Sequence, residues 1–172
     1  MGPADLRPDR PYRPRAQAHA RGAPRQARPC RTALSRRGRM RRPLVIDASV
    51  LVPYSLPEPD DPETGGLEDA FADPGSDVIA PPFVDLEVLN VGARRRGLDE
   101  RALLAIADEL ERLPLTRIDP ELHGIARWAA FGLSAYDATY AALAEQLDAR
   151  LLTQDADLLL ALPDRAIRSF SP

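Results

Sequence analysis

Lysine is absent from the 172 residues, cysteine and tryptophan occur once each, and histidine occurs twice. Each scarcity removes a class of chemistry. With Cys30 as the only thiol, neither a disulfide framework nor a thiolate metal site is available. His19 falls in an N-terminal segment of unusual composition, which leaves His123 as the one imidazole of the remainder. That is too few for a histidine zinc site, and little for a hydrolase built on a histidine base. No apolar run reaches the length of about 18 residues that a membrane span needs, and no signal-peptide core is present. The expectation is a soluble, cytoplasmic protein with no membrane partner.

Charge is divided unevenly. Residues 1–42 hold 13 of the 23 basic residues and two of the 26 acids, a formal +11, whereas 43–172 carry −14. The basic segment is rich in Pro, Arg, Ala and Gly and has no repeating apolar spacing, so it cannot bury enough surface to offset its chain entropy. It is expected to be a disordered extension. Met40, just before the first apolar run, is the expected true start of translation; a nucleic-acid-binding arm is the functional alternative. The folded domain is expected over 43–172.

From residue 43 onward, strand-like and helix-like segments alternate. Short apolar runs at Leu44–Asp47, Asp77–Ala80, Leu115–Ile118, Leu151–Thr153 and Ala166–Phe170 predict five strands. Helices are expected over Ser49–Leu56, around Leu67–Ala72, from Pro81-Pro82 to Arg96, and over Asp99–Leu113, with Asp99 as N-cap. Others are expected over Pro120–Phe131, Ser134–Leu147 and Leu158–Leu162, with the acidic, Pro-rich Pro57–Gly66 as a loop. Such alternation predicts an α/β fold with a mostly parallel sheet of about five strands between helical layers. Ligands of open sheets like this bind at the carboxyl ends of the strands, where the strand order switches.

Four acids draw attention in that frame. Asp47 ends the run Pro43–Ile46, Glu87 shares a helix face with Val84 and Val91, Asp137 opens the run Ala138–Ala144, and Asp155 follows Leu151–Thr153. Each also has an ordinary reading. Asp47 could cap the helix after it, Ser134–Asp137 fits a capping box, and Asp155 or Asp157 could cap the helix at Leu158. Asp85 competes with Glu87 on the same helix. The argument for a site rests on joint placement. Two carboxylates about 4 Å apart repel by roughly 4 kcal/mol at an effective dielectric near 20. Several together would raise their pKa values or open the site unless a cation intervenes. Mg²⁺ or Mn²⁺ would resolve the repulsion, lower the pKa of an attacking water and neutralise charge on a phosphodiester, with no nucleophilic side chain needed.

The string Val45–Val52 around Asp47, Glu87 within its helix, Ser134-Ala135-Tyr136-Asp137-Ala138, and Leu151-Leu152-Thr153-Gln154-Asp155 together resemble the PIN-domain nucleases, and within them the VapC toxins of toxin–antitoxin pairs. The likeness spans about residues 43–170. It implies an α/β/α sandwich in which Asp47, Glu87, Asp137 and Asp155 hold Mg²⁺ or Mn²⁺ and RNA is hydrolysed by metal-activated water, with tRNA or rRNA as candidate substrates. It further implies that Ser49 and Thr153 orient a water or an acid, that Asp157 is auxiliary, that the protein forms a homodimer, and that a small antitoxin protein covers the site.

A folded part of net −14 is an awkward partner for RNA, because phosphate contacts supply most such affinity. Arg94, Arg95 and Arg96 are the expected basic cluster near the site, or else a solvated helix end favoured by the macrodipole. Trp128 and Phe131 are expected in the core or a dimer face, and His123 is expected to be structural. Two rival functions remain: a catalytically inactive PIN-like binding module acting through partner assembly, and a phosphatase with an aspartyl nucleophile, which the absence of lysine disfavours.

Overall fold

The computed structural model describes residues 42–57, 64 and 66–170. The expected disordered extension over 1–41 and most of the Pro57–Gly66 loop lie outside the described residues. Arg42, grouped with the extension by composition, belongs instead to the first strand, where its N–H donates to the carbonyl of Gly75 at 2.8 Å.

Five strands form one sheet in the order β3-β2-β1-β4-β5, with β1 at Arg42–Ile46, β2 at Ser76–Ala80, β3 at Thr116–Arg117, β4 at Arg150–Leu152 and β5 at Ala166–Ile167. Every pairing is parallel, a stricter arrangement than the mostly parallel sheet expected. Helices cover both sides: α1 (Ala48–Ser55), α2 (Leu67–Ala72), α3 (Val84–Arg94), α4 (Glu100–Arg112), α5 (Leu122–Ala130), α6 (Ala135–Gln146) and α7 (Ala156–Ala161). Burial of both sheet faces explains why the strands read as continuous apolar runs rather than alternating ones. Leu44, Val45 and Ile46 of β1 and Leu151 and Leu152 of β4 are buried, each such side chain contributing about 1.5–3 kcal/mol. Pro43 is tolerated in the central strand because β1 pairs only with β2 at that point; the ladder to β4 begins at Leu44.

The alanine-rich α6 packs on β1 and β4, and Ala138, Ala141 and Ala144 are buried there. Small side chains let this helix approach the strand pair that carries Asp47 and the Leu151–Asp155 segment. The amphipathic α4 is capped as expected, Asp99 accepting from the Ala102 N–H at 2.9 Å, and it buries Ile106 and Leu110. Among the described residues no helix is long and apolar enough to cross a membrane.

Element ends differ from expectation where a proline restricts the residue before it or neighbours are few. α3 starts at Val84 rather than at Pro81, because Pro82 disfavours the helical backbone at the residue before it; the two prolines form a turn closed by Val84 N–H to Pro81 O at 3.1 Å. The edge strands β3 and β5 are two residues each, shorter than predicted, since each has a neighbour on one side only. Gly66, at φ +79°, precedes α2, and a Cβ there would stand 3.0 Å from the carbonyl oxygen of Phe170, so both backbone angle and space demand glycine.

The chain leaves β1 toward β2 and β3 on one side and returns to build β4 and β5 on the other. The switch in direction therefore lies between β1 and β4, and their carboxyl ends bear Asp47 and the Thr153–Asp155 segment.

Candidate active site

Asp47 follows β1 directly and is 5 % exposed. Its N–H donates to Leu152 O at 3.1 Å, which ties the ends of β1 and β4 together. It occupies the N-cap position of α1, but its carboxylate closes no capping hydrogen bond. Two hydroxyls claim its Oδ2 instead: Ser49 Oγ donates at 2.6 Å and Thr153 Oγ1 at 2.7 Å. The hydroxyls are fixed in turn, since the Gln154 N–H donates to Ser49 Oγ at 2.8 Å and the Asp155 N–H to Thr153 Oγ1 at 2.9 Å. Burial pushes the Asp47 carboxyl above its ordinary value, the hydroxyls oppose the rise, and the charge of Asp155 adds to it.

Glu87, in the first turn of α3, is half-buried and accepts a hydrogen bond at Oε2 from the Tyr140 hydroxyl on α6. Its pKa is raised, first by burial and then, against the opposing Tyr140 bond, by the charges of Asp47 and Asp137. Tyr140 itself is held protonated, its hydroxyl pushed up chiefly by burial and then by the Glu87 carboxylate. Asp137 and Ser134 form a reciprocal cap on α6: Asp137 N–H donates to Ser134 Oγ at 3.1 Å, and Ser134 Oγ donates to Asp137 Oδ2 at 2.6 Å. The acid thus bonds back to the cap, through the Ser134 hydroxyl. Asp155 caps α7 through Oδ1, which accepts from the N–H groups of Asp157 and Leu158 at 2.8 and 2.9 Å.

The fields of the four acids link in series, Asp137 acting on Glu87, Asp47 on Glu87, and Asp155 on Asp47. No arginine pairs with any of them among the described residues. Among the described residues, Glu87, Asp137 and Asp155 each keep one carboxylate oxygen clear of protein donors: Oε1 of Glu87, Oδ1 of Asp137 and Oδ2 of Asp155. As a donor set this suits a hard divalent cation, which takes carboxylate oxygens and retains water. Among the described residues, no three acids stand close enough to hold an ion directly.

Several expected participants are placed elsewhere. Arg94, Arg95 and Arg96 were expected as a basic cluster near the site or else as a solvated helix end, and Arg94 and Arg95 are exposed at the end of α3. Arg96 instead donates to the carbonyl of Leu56, the residue that ends α1, while Asp47 begins that helix. Arg96 is thus tied to the end of α1 opposite Asp47. The helix before it, α3, leaves the carboxyl end of β2 and runs back along the sheet, as a connection between parallel strands requires. Asp157 contributes its N–H to Asp155 and is otherwise exposed. Phe131, expected in the core or a dimer face, is 81 % exposed, which removes the core option. Trp128 is half-buried, with its indole N–H donating to Glu145 Oε2 at 2.9 Å, and His123 is exposed. An open apolar groove between α3 and α4, lined by Leu89, Ala93, Leu103, Leu104 and Ala107, contains none of the four acids.

Sequence reasoning missed Tyr140. The signal was available: it stands three residues after Asp137 and so shares its helix face. An aromatic in an alanine run, however, reads as ordinary core.

A family model described as PIN domain matches residues 44–162. The crystal structure of PAE2754 from Pyrobaculum aerophilum is 25 % identical with a TM-score of 0.58, over 76 % of this chain and 91 % of that one. The crystal structure of VapC20 from Mycobacterium tuberculosis, described as a sarcin-ricin loop cleaving toxin, is 20 % identical with a TM-score of 0.52. That alignment covers 69 % of this chain and 94 % of VapC20, a likeness of fold alone. No curated protein matches the sequence significantly.

Proposed function

The chain belongs to the PIN-domain family, whose members are generally nucleases, and from that premise we propose that it is a Mg²⁺- or Mn²⁺-dependent endoribonuclease of the VapC type. The observation that carries the proposal is the series of four acids without a cationic partner, two of them with raised pKa values, at the strand-order switch. A buried carboxylate is costly unless paired, protonated or bound to a metal, and here no arginine pairs with any of the four. Asp47, Glu87, Asp137 and Asp155 would hold the cation, which would neutralise charge on a phosphodiester and lower the pKa of an attacking water.

The protein's own groups prepare that site. Ser49 and Thr153 hold Oδ2 of Asp47, which fixes the orientation of the carboxylate before any ion binds. Tyr140, which keeps its proton at any physiological pH, always donates to Glu87 and holds Oε2 as an acceptor. Asp137 and Asp155 are steadied by their capping bonds, so capping and the proposed ligation use different oxygens of the same side chains.

RNA as substrate, a small antitoxin as inhibitor and a homodimer as the working form belong to the same reading. They are supported by the motif resemblance and by the shared fold with a toxin described as cleaving the sarcin-ricin loop. The test is cleavage of structured and single-stranded RNA by the full chain with Mn²⁺, with Asp47→Asn alongside. Cutting by the wild type and none by the variant supports the proposal; no cutting by correctly folded wild type overturns it. One observation favours a second reading. The spread of the acids beyond direct coordination of one ion suits a PIN-like module that assembles without cleaving. In that case Asp47→Asn would leave the biological effect of induction, such as growth arrest, intact.

A further inference from the structure

Resting on the ribonuclease reading, we propose that Tyr136 is a stacking platform for an unpaired RNA base beside the acidic site. Three aromatic rings lead outward from Glu87. Tyr140 is 1 % exposed, and its hydroxyl ends on Glu87. Its ring meets that of Phe83 at a centroid distance of 5.3 Å and 66°. Phe83 in turn meets Tyr136 at 5.7 Å and 66°, and Tyr136 is 65 % exposed. Phe83 immediately precedes α3, the helix of Glu87, and Tyr136 immediately precedes Asp137 on α6. The outer ring is thereby braced by both helices that deliver acids, yet most of its surface is open and its hydroxyl bonds nothing among the described residues. Edge-to-face contacts of this kind hold a ring in one orientation without covering it.

Charge explains why such a ring would be needed. The segment 43–172 carries a formal −14, and Arg94–Arg96 lie toward the far end of α1. Phosphate contacts near the acids are therefore few, Arg168, whose guanidinium donates to Gln154 Oε1 at 3.4 Å, being one. Stacking on an aromatic ring requires no charge, tolerates any base and contributes about one to two orders of magnitude in affinity per base. Only an unpaired base offers its face, so the occupant is a loop or a single strand rather than a duplex.

The experiment uses the full chain with Mn²⁺ and a mixed-sequence single-stranded oligoribonucleotide containing 2-aminopurine. Tyr136→Ala is expected to lower kcat/KM about 10- to 100-fold, mostly through KM, and Tyr136→Phe, which keeps the ring, to recover most of that loss. In the Asp47→Asn background, 2-aminopurine fluorescence is expected to be quenched on binding, and the quenching to disappear when Tyr136→Ala is added. Wild-type kinetics and quenching in Tyr136→Ala would overturn the proposal. So would a loss accompanied by a changed sedimentation coefficient, which would assign the ring to a protein interface. If folded wild type does not cut, the nuclease reading fails on its own, and the quenching comparison still decides the role of the ring.

Discussion

Asp85 and Glu87 stand two residues apart on α3, yet the fold surrounds their charges in opposite ways. Arg117 grips Asp85 with two nitrogens, Nε to Oδ2 at 2.6 Å and an Nη to Oδ1 at 2.9 Å, and the same guanidinium donates to the carbonyls of Leu110 and Leu115. This pair joins α3 to β3 and satisfies every oxygen of Asp85. Glu87 receives a neutral hydroxyl and stands in the fields of two further acids. The contrast shows that the protein has arginine available for a half-buried carboxylate and uses it where stability is served. Around Asp47, Glu87, Asp137 and Asp155 it supplies hydroxyls and backbone N–H groups instead, which orient a carboxylate while leaving its charge uncompensated. A site built this way gains by taking up a cation from solution.

The largest test of that contrast removes charge from the uncompensated region. Asp47→Asn is expected to lower kcat/KM for RNA on the order of 10³-fold. Measured by thermal unfolding without metal, the variant should be at least as stable as wild type, because a buried charge has been deleted. Arg117→Ala breaks the compensated region. Leaving Asp85 without its partner is expected to cost about 1–3 kcal/mol in denaturant unfolding, with cleavage by the folded fraction little changed. If Arg117→Ala abolished cleavage and Asp47→Asn did not, the two regions would have been assigned the wrong way round. Tyr140→Phe is subtler: loss of the hydroxyl frees Glu87 Oε2, and a drop of about 10-fold in kcat/KM is expected with the fold retained.

The smallest effect is on stability against pH. The folded pKa values of Asp47 and Glu87 lie above their ordinary values of 3.8 and 4.5, so the native state binds these protons more tightly than the unfolded chain does. Their contribution to stability is full below those ordinary values and is lost as pH rises through the raised ones. In metal-free protein, wild type should therefore lose melting temperature relative to Asp47→Asn between pH 4 and neutrality. Mn²⁺ should return more of it at neutral than at acid pH. Parallel melting curves for the two proteins across that range would contradict the assignment.

Much of this arrangement was legible in the sequence. An acid at the end of Pro43–Ile46 and another after Leu151–Thr153 pointed to the strand ends because buried parallel strands are recognisable as unbroken apolar runs. Asp99 and Ser134 were readable as caps because capping depends on neighbours within a turn. What was not legible depends on contacts distant in sequence. The Asp85–Arg117 pair spans 32 residues and the Glu87–Tyr140 pair 53, so nothing local separates the paired acid from the unpaired one. For the arginines at 94–96 the reading as a solvated helix end was legible too: a helix that leaves a strand of a parallel sheet runs back along it, which carries the end of α3 away from the carboxyl ends of the strands.

Titration of Mn²⁺ into the full chain and into Asp47→Asn by calorimetry, at neutral pH and with circular dichroism confirming the fold of both, tests the central claim most directly. Uptake by wild type that is at least about 10-fold weaker in the variant is the predicted result. Equal affinity in the two proteins, or no uptake by folded wild type, would contradict it.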